Sequence, residues 1–124
     1  MNKTLNKNSI LRYSRQIILK NIGIVGQKKI KNSKILIVGM GGLGCPVADL
    51  LTRAGVGEIG IIEYDKINLS NIHRQTLFST YDVGKFKVKI AKKKVKRPIG
   101  FRLDLVRSSF LDSWKIQIGE GTIF

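Results

Sequence analysis

A chain of 124 residues with 43% hydrophobic and 25% charged side chains describes one small globular domain, able to bury a core but too short for a second. No apolar run approaches the ~18 residues that span a bilayer. The polar stretch from Met1 to Ser9 leads into no signal-peptide core, and a single cysteine excludes an internal disulfide framework, so a reducing, cytoplasmic setting is expected. The formal charge is +15, with nine Lys/Arg and no acid in residues 1–34 and eight Lys/Arg and no acid in 84–97. Such charge can hold nucleic acid through phosphate contacts. No aromatic-interleaved groove or nucleic-acid motif accompanies it, so a lysine-rich solvated surface is the expected reading.

In chain order, Ser9 is the expected N-cap of a helix over about 10–20, with apolar positions at Ile10, Tyr13, Ile17 and Ile18. Arg12 and Arg15 lie three apart and would share one face of it. Gly23 and Gly26 interrupt the pattern, leaving a short helix over Gln27 to Lys31. Ile35 to Val38 is a continuous apolar run, as expected for a strand buried on both faces of a parallel sheet. Gly39, Gly41 and Gly44 then spell G-x-G-x-x-G, with Gly42 inside the turn. A helical apolar pattern follows at Leu43, Val47, Leu50, Leu51 and Ala54. Glycines let the backbone approach a phosphate, and a helix N-terminus adds N–H groups and partial positive charge.

Cys45 and Pro46 open that helix, where proline is tolerated. A thiol there is open to acidification by the helix N-terminus, but no second cysteine or histidine partner supports catalysis, and a small buried residue is expected. Gly55 is placed to cap the helix, and residues 58–63 read as a second parallel strand, completing one βαβ unit of α/β class. Glu63 stands at the strand's carboxyl end, 19 residues after Gly44, where an acid accepts hydrogen bonds from ribose hydroxyls. Asp65 follows two residues later, and either acid is open to the plainer reading of an exposed loop carboxylate. Residues 68–75 look turn-like, with a cap expected at Ser70, and Asp82 to Gly84 closes the loop. A helix over about 84–96 would bury Val88, Ala91 and Val95. Lys85 and Lys87 sit at its N-terminal end, unfavourable for cations unless an anion binds nearby. His73, the only histidine, lacks a metal-ligand partner and reads as a loop residue; no metal site is expected in the residues themselves. Residues 101–106 are compatible with a third strand, while the apolar Trp114, Ile116, Ile118, Ile123 and Phe124 show no period.

Four blocks resemble the ThiF/MoeB-type adenylyltransferases, relatives of the ubiquitin-activating enzymes. They are Arg12-Tyr-Ser-Arg-Gln-Ile-Ile-Leu19; Gly39-x-Gly-Gly-Leu-Gly-Cys-Pro46; Ala54-Gly-Val-Gly57 with Glu63-x-Asp65; and Leu69-Ser-Asn-Ile-His-Arg-Gln75 with Gly84-x-x-Lys87. Their order and spacing are similar to the family from residue 10 to about 96. The resemblance implies a Rossmann-like parallel sheet with N-terminal helices: an arm over 1–33, an incomplete ATP-binding half-domain over 34–97, and an atypical tail over 98–124. It also implies that the glycine turn faces the ATP phosphates, with Glu63 on the ribose and Asp65 beside it. Asn71 and Arg74 would contact phosphate oxygens, Lys87 would meet the α-phosphate, and Arg15 would enter the active site of the other subunit of a homodimer. The implied reaction is attack by the C-terminal Gly-Gly carboxylate of a ubiquitin-like sulfur-carrier protein, of the molybdopterin or thiamine type, on the α-phosphate of Mg-ATP.

The sequence departs from the family at Glu63, where aspartate is usual, and at Phe86, where proline is common. From about Arg97 the family pattern stops. No Asp-Gly-x-Asp-Asn-like magnesium motif and no paired Cys-x-x-Cys motifs follow, as in a truncated, frameshifted or chimeric product. Competing expectations are a non-catalytic nucleotide-binding fragment, an NAD-dependent oxidoreductase, and a related dehydratase acting on modified tRNA.

Overall fold

Two parallel strands and the helix between them carry the architecture. The structure, a computed structural model, describes residues 5–96. The third strand expected over 101–106 and the apolar residues from Trp114 onward lie outside the described residues. Helices α1 (Lys7–Arg12), α2 (Ser14–Ile17) and α3 (Gly23–Asn32) precede strand β1 (Lys34–Val38). Helix α4 (Gly44–Ala54), strand β2 (Glu58–Ile62) and helix α5 (Lys87–Lys96) follow, with short 3-10 turns over Leu69–Asn71 and Thr80–Asp82. β1 and β2 pair in parallel, from Lys34 opposite Glu58 to Val38 opposite Ile62. This is the expected βαβ unit, and the α/β, Rossmann-type class holds.

β2 is buried along its middle, with Ile59 and Ile61 almost fully enclosed. β1 differs from expectation: Ile37 is buried, Ile35 and Leu36 are half-buried, and Val38 is 75% exposed. The core gathers Ile37, Met40, Cys45, Ala48, Val56, Ile59, Ile61, Ile67, Phe78, Ala91 and Val95. In α4 the expected apolar pattern holds only in part: Leu51 packs against the core, the others less so. Leu43, Val47 and Leu50 are exposed, while Cys45, Ala48 and Thr52 are buried. Small residues at spacings of three and four let the helix lie close to its neighbours, and the Thr52 hydroxyl donates to the Ala48 carbonyl at 2.6 Å, removing the cost of burying it.

The single helix expected over about 10–20 is two helices, α1 and α2. Asn6, not Ser9, is the cap: its Oδ1 accepts from the Ser9 N–H at 2.8 Å. At Tyr13 the backbone leaves helical geometry (φ −100°, ψ 13°), and the ring is buried against the end of α4. Arg12 and Arg15 therefore sit on different helices, both exposed, instead of on one face. α3 starts at Gly23 and includes Gly26, longer than the expected 27–31. Asn68, not Ser70, caps the first 3-10 turn, accepting from the Ser70 N–H at 2.9 Å.

α5 begins at Lys87, three residues later than the lysine-rich pattern suggests. Residues 84–87 are committed to the 65–67 segment instead: the Gly84 N–H donates to the Ile67 carbonyl (2.8 Å), Ile67 N–H to the Lys85 carbonyl (2.9 Å), and Lys87 N–H to the Asp65 carbonyl (3.0 Å). Asp82, almost buried, fastens this loop to α5. Its carboxylate takes the Ser79 N–H and hydroxyl and the Lys94 ammonium. Burial would raise its pKa, but the Lys94 and Ser79 hydrogen bonds prevail and hold it at about 2. Among the described residues no helix is long and apolar enough to cross a membrane.

Candidate functional site

The glycine turn is built by two demands on the backbone. Gly39 leaves β1 with φ +92°, a conformation that L side chains rarely adopt, while its N–H still pairs with the Ile62 carbonyl at 2.8 Å. At Gly44 the demand is space: a Cβ there would lie 2.0 Å from the Gly39 carbonyl oxygen. The first turn of α4 thus presses directly onto the end of β1. The Met40 side chain is fully buried below the turn, and the Cys45 N–H bonds the Gly41 carbonyl at 3.1 Å.

Glu63 fastens the turn to the end of β2. Its Oε2 accepts the Met40 N–H at 2.8 Å, and its Oε1 accepts the N–H groups of Tyr64 (2.8 Å) and Asp65 (3.0 Å). Burial would raise the carboxyl pKa, but these backbone bonds and the nearby Lys87 charge outweigh it and hold it below the ordinary carboxylate value. A carboxylate offers about four acceptor directions, so three bonds leave one for a ligand.

Lys87 is 5% exposed, yet its ammonium lies 3.3 Å from the half-exposed Asp65 carboxylate. The backbone bond between the same residues sets this contact. Asp65 therefore serves Lys87 directly. Lys87 is also near enough to act electrostatically on both Glu63 and Cys45, which places its charge beside the turn. Arg74 approaches from the other side. A Cβ on Gly42 would meet the Arg74 Cγ and Cδ at 3.6 Å, and the guanidinium donates to the Ser70 carbonyl at 3.2 Å with His73 Nε2 at 3.3 Å. Asn71 sits half-buried at the base of this segment, its carbonyl accepting from Arg74 and Gln75. The loop reading of His73 holds. Cys45 is fully buried, and burial pushes its thiol up over the opposing Leu77 backbone bond and Lys87 charge, so it is a small core residue rather than a nucleophile.

Gly39, Gly41, Gly42, Gly44, Glu63, Asp65, Arg74 and Lys87 are thus brought together. Arg15 is not. Its neighbour Gln16 donates to the Ala54 carbonyl (3.0 Å), at the far end of α4, and an eleven-residue helix is ~16 Å long. Residue-type reasoning passed over two groups. Gln27, fully buried, donates to the same carbonyl at 2.9 Å and accepts from Gln16 at 2.6 Å; isolated glutamines on a lysine-rich helix give no periodic signal. Gln75, 4% exposed, has its Nε2 next to Gly41; its position directly after Arg74 was the one available cue.

A strand, a glycine turn held by an acid, and a helix whose first turn has no side-chain cap and no acidic residue define a Rossmann-type α/β unit. Residues 13–99 match the model of the ThiF family, and the chain belongs to that family. It is 57% identical over 84 residues to the adenylyltransferase and sulfurtransferase MOCS3 of Aedes aegypti, covering 68% of this chain and 19% of that protein. The chain thus spans about a fifth of the length of such curated relatives. Among solved structures it is similar to E. coli MccB with ATP, with TM-score 0.69 and 37% identity over 82% of this chain and 31% of that one. The fold is shared with the E. coli tRNA N6-threonylcarbamoyladenosine dehydratase TcdA, with TM-score 0.74 and 24% identity over 84% of this chain and 43% of that one.

Proposed function

We propose that this chain binds ATP on the glycine turn and forms the nucleotide-binding portion of an adenylyltransferase acting in the cytoplasm on a ubiquitin-like sulfur-carrier protein of the molybdopterin or thiamine type. The observation that carries this reading is the convergence of Arg74 and Lys87 on the glycine turn at the open N-terminal end of α4. Backbone at Gly39, Gly41, Gly42 and Gly44 would receive the phosphates, and the remaining acceptor direction of Glu63 would receive a ribose hydroxyl. Asn71 and Arg74 would contact phosphate oxygens. Lys87 carries three donors, so it keeps Asp65 as counterion and still reaches the α-phosphate.

In the proposed reaction an oxygen of the carrier's C-terminal Gly-Gly carboxylate bonds to the α-phosphorus while the bond to the β-phosphate oxygen breaks. Pyrophosphate leaves with the electron pair. Such transfer depends on positioning and on stabilising charge spread over phosphate oxygens. Arg74 and Lys87 supply positive charge for this within one chain, and Arg15 would supply it to a second copy in a homodimer. The separation of Arg15 from its own glycine turn supports that assignment. Magnesium belongs to such chemistry, but among the described residues no three Asp, Glu, His or Cys side chains converge to hold it, and no step is assigned to it.

ATP titration tests the binding, and carrier-dependent ATP–pyrophosphate exchange by the full-length natural protein tests the reaction. Absence of exchange there overturns the adenylation. A second reading, a nucleotide-binding module without catalysis, is favoured by the short span of the chain relative to MOCS3; ATP binding without exchange selects it. Preference for NAD over ATP would select an oxidoreductase instead.

A further inference from the structure

We infer that Gln75 is a further ligand-contacting residue of the glycine turn, its Nε2 donating to a phosphate oxygen of the bound nucleotide. The inference rests on the ATP-binding reading above and adds a residue that the reading does not use. Gln75 is 4% exposed, and its Oε1 is buried with no hydrogen-bond partner among the described residues. Its Nε2 lies 4.0 Å from where a Cβ on Gly41 would be, so the amide is aimed at the turn rather than away from it. The backbone fixes it there: its N–H donates to the Asn71 carbonyl at 3.0 Å, and its own carbonyl accepts from the Phe78 N–H at 3.0 Å.

A buried carboxamide with structural duty only is normally paired, because leaving it unpaired in a poorly hydrated place is costly. The contrast within this molecule is direct: Gln27, equally enclosed, uses both ends of its amide. Gln75 lies instead beside the N-terminus of α4, which has neither a side-chain cap nor an acid in its first turn. Arg74 and Gln75, consecutive in sequence, lie against Gly42 and Gly41 respectively, Arg74 with its aliphatic stem and Gln75 with its amide nitrogen. A hydrated phosphate would bring an acceptor for Nε2 and water able to donate to Oε1, completing both ends of the amide.

The test is titration of the whole chain with ATP and with adenosine, alongside thermal unfolding, for wild type, Gln75→Leu and Gln75→Met. Both variants keep the volume and remove the amide. The expected result is a loss of about tenfold in ATP affinity, unchanged adenosine affinity, and a melting temperature equal to or above wild type. Wild-type ATP affinity in both variants overturns the inference and leaves the ATP site standing. Equal loss for ATP and adenosine with a lowered melting temperature assigns Gln75 a structural role and also overturns it. If wild type itself binds no ATP, the ATP-binding reading falls and the inference falls with it.

Discussion

The two ends of α4 are finished in opposite ways. At the C-terminal end, Gly55 caps the helix in the left-handed conformation (φ 94°), and two amides, from the half-buried Gln16 and the buried Gln27, converge on the Ala54 carbonyl. The Tyr13 ring covers Gly55, so that a Cβ there would come within 2.7 Å of it. At the N-terminal end, Leu43 has no side chain able to cap, no acid stands in the first turn, and the Lys87 charge acts on the turn alongside that of Glu63. Orphan backbone groups at a helix end must find partners. The fold supplies side-chain partners where the N-terminal arm is attached and no side-chain cap where the glycine turn sits, the end to which the proposed ATP site is assigned.

The strongest way to break that contrast is at the open end. Gly44→Ala places a methyl 2.0 Å from the Gly39 backbone oxygen, and we expect a loss of about 3 kcal/mol or more in denaturant unfolding, with ATP binding lost too. Closing the comparison from the other side, Gln27→Leu removes a donor from the Ala54 carbonyl and a partner from Gln16. It should cost about 1–3 kcal/mol in the same measurement while leaving the ATP affinity of the folded protein unchanged.

Asp82 tests the loop that brings Lys87 to the site. Its pKa is 3.8 when unperturbed and about 2 in the fold, so folding favours the ionised form. The stability it contributes is complete above pH ~4 and is lost as pH falls from about 4 towards 2, on the order of 2 kcal/mol. Asp82→Asn should flatten that part of the stability–pH curve, read by denaturation between pH 2 and 6.

Much of this was legible beforehand because it depends on contiguous signals. An apolar run, a glycine fingerprint and an acid at fixed distance define β1, the turn, β2 and Glu63 without tertiary information. The misreadings share a different cause. On α4 the buried face is Cys45, Ala48 and Thr52, whose hydrophobicity is low and whose value is small size, so an apolar-stripe template selected the exposed Leu43, Val47 and Leu50 instead. The start of α5 was placed early because the lysine-rich segment has helical composition, and the long-range pairing of 84–87 with 65–67 leaves no local trace. Asn6 displaced Ser9 as cap for the same reason that Asn68 displaced Ser70: both serine and asparagine suit the role, and local sequence does not choose between them. At Glu63 the sequence carries the acid and its spacing but no sign of the three backbone N–H groups that also bond its carboxylate.

The central claim is that anion binding belongs to the open end of α4, and ATP titration of Lys87→Ala against Gln27→Leu addresses it most directly. The account predicts a loss of about tenfold or more in ATP affinity for Lys87→Ala and wild-type affinity for folded Gln27→Leu. Wild-type ATP affinity in Lys87→Ala, or an equal loss in both variants, would contradict it.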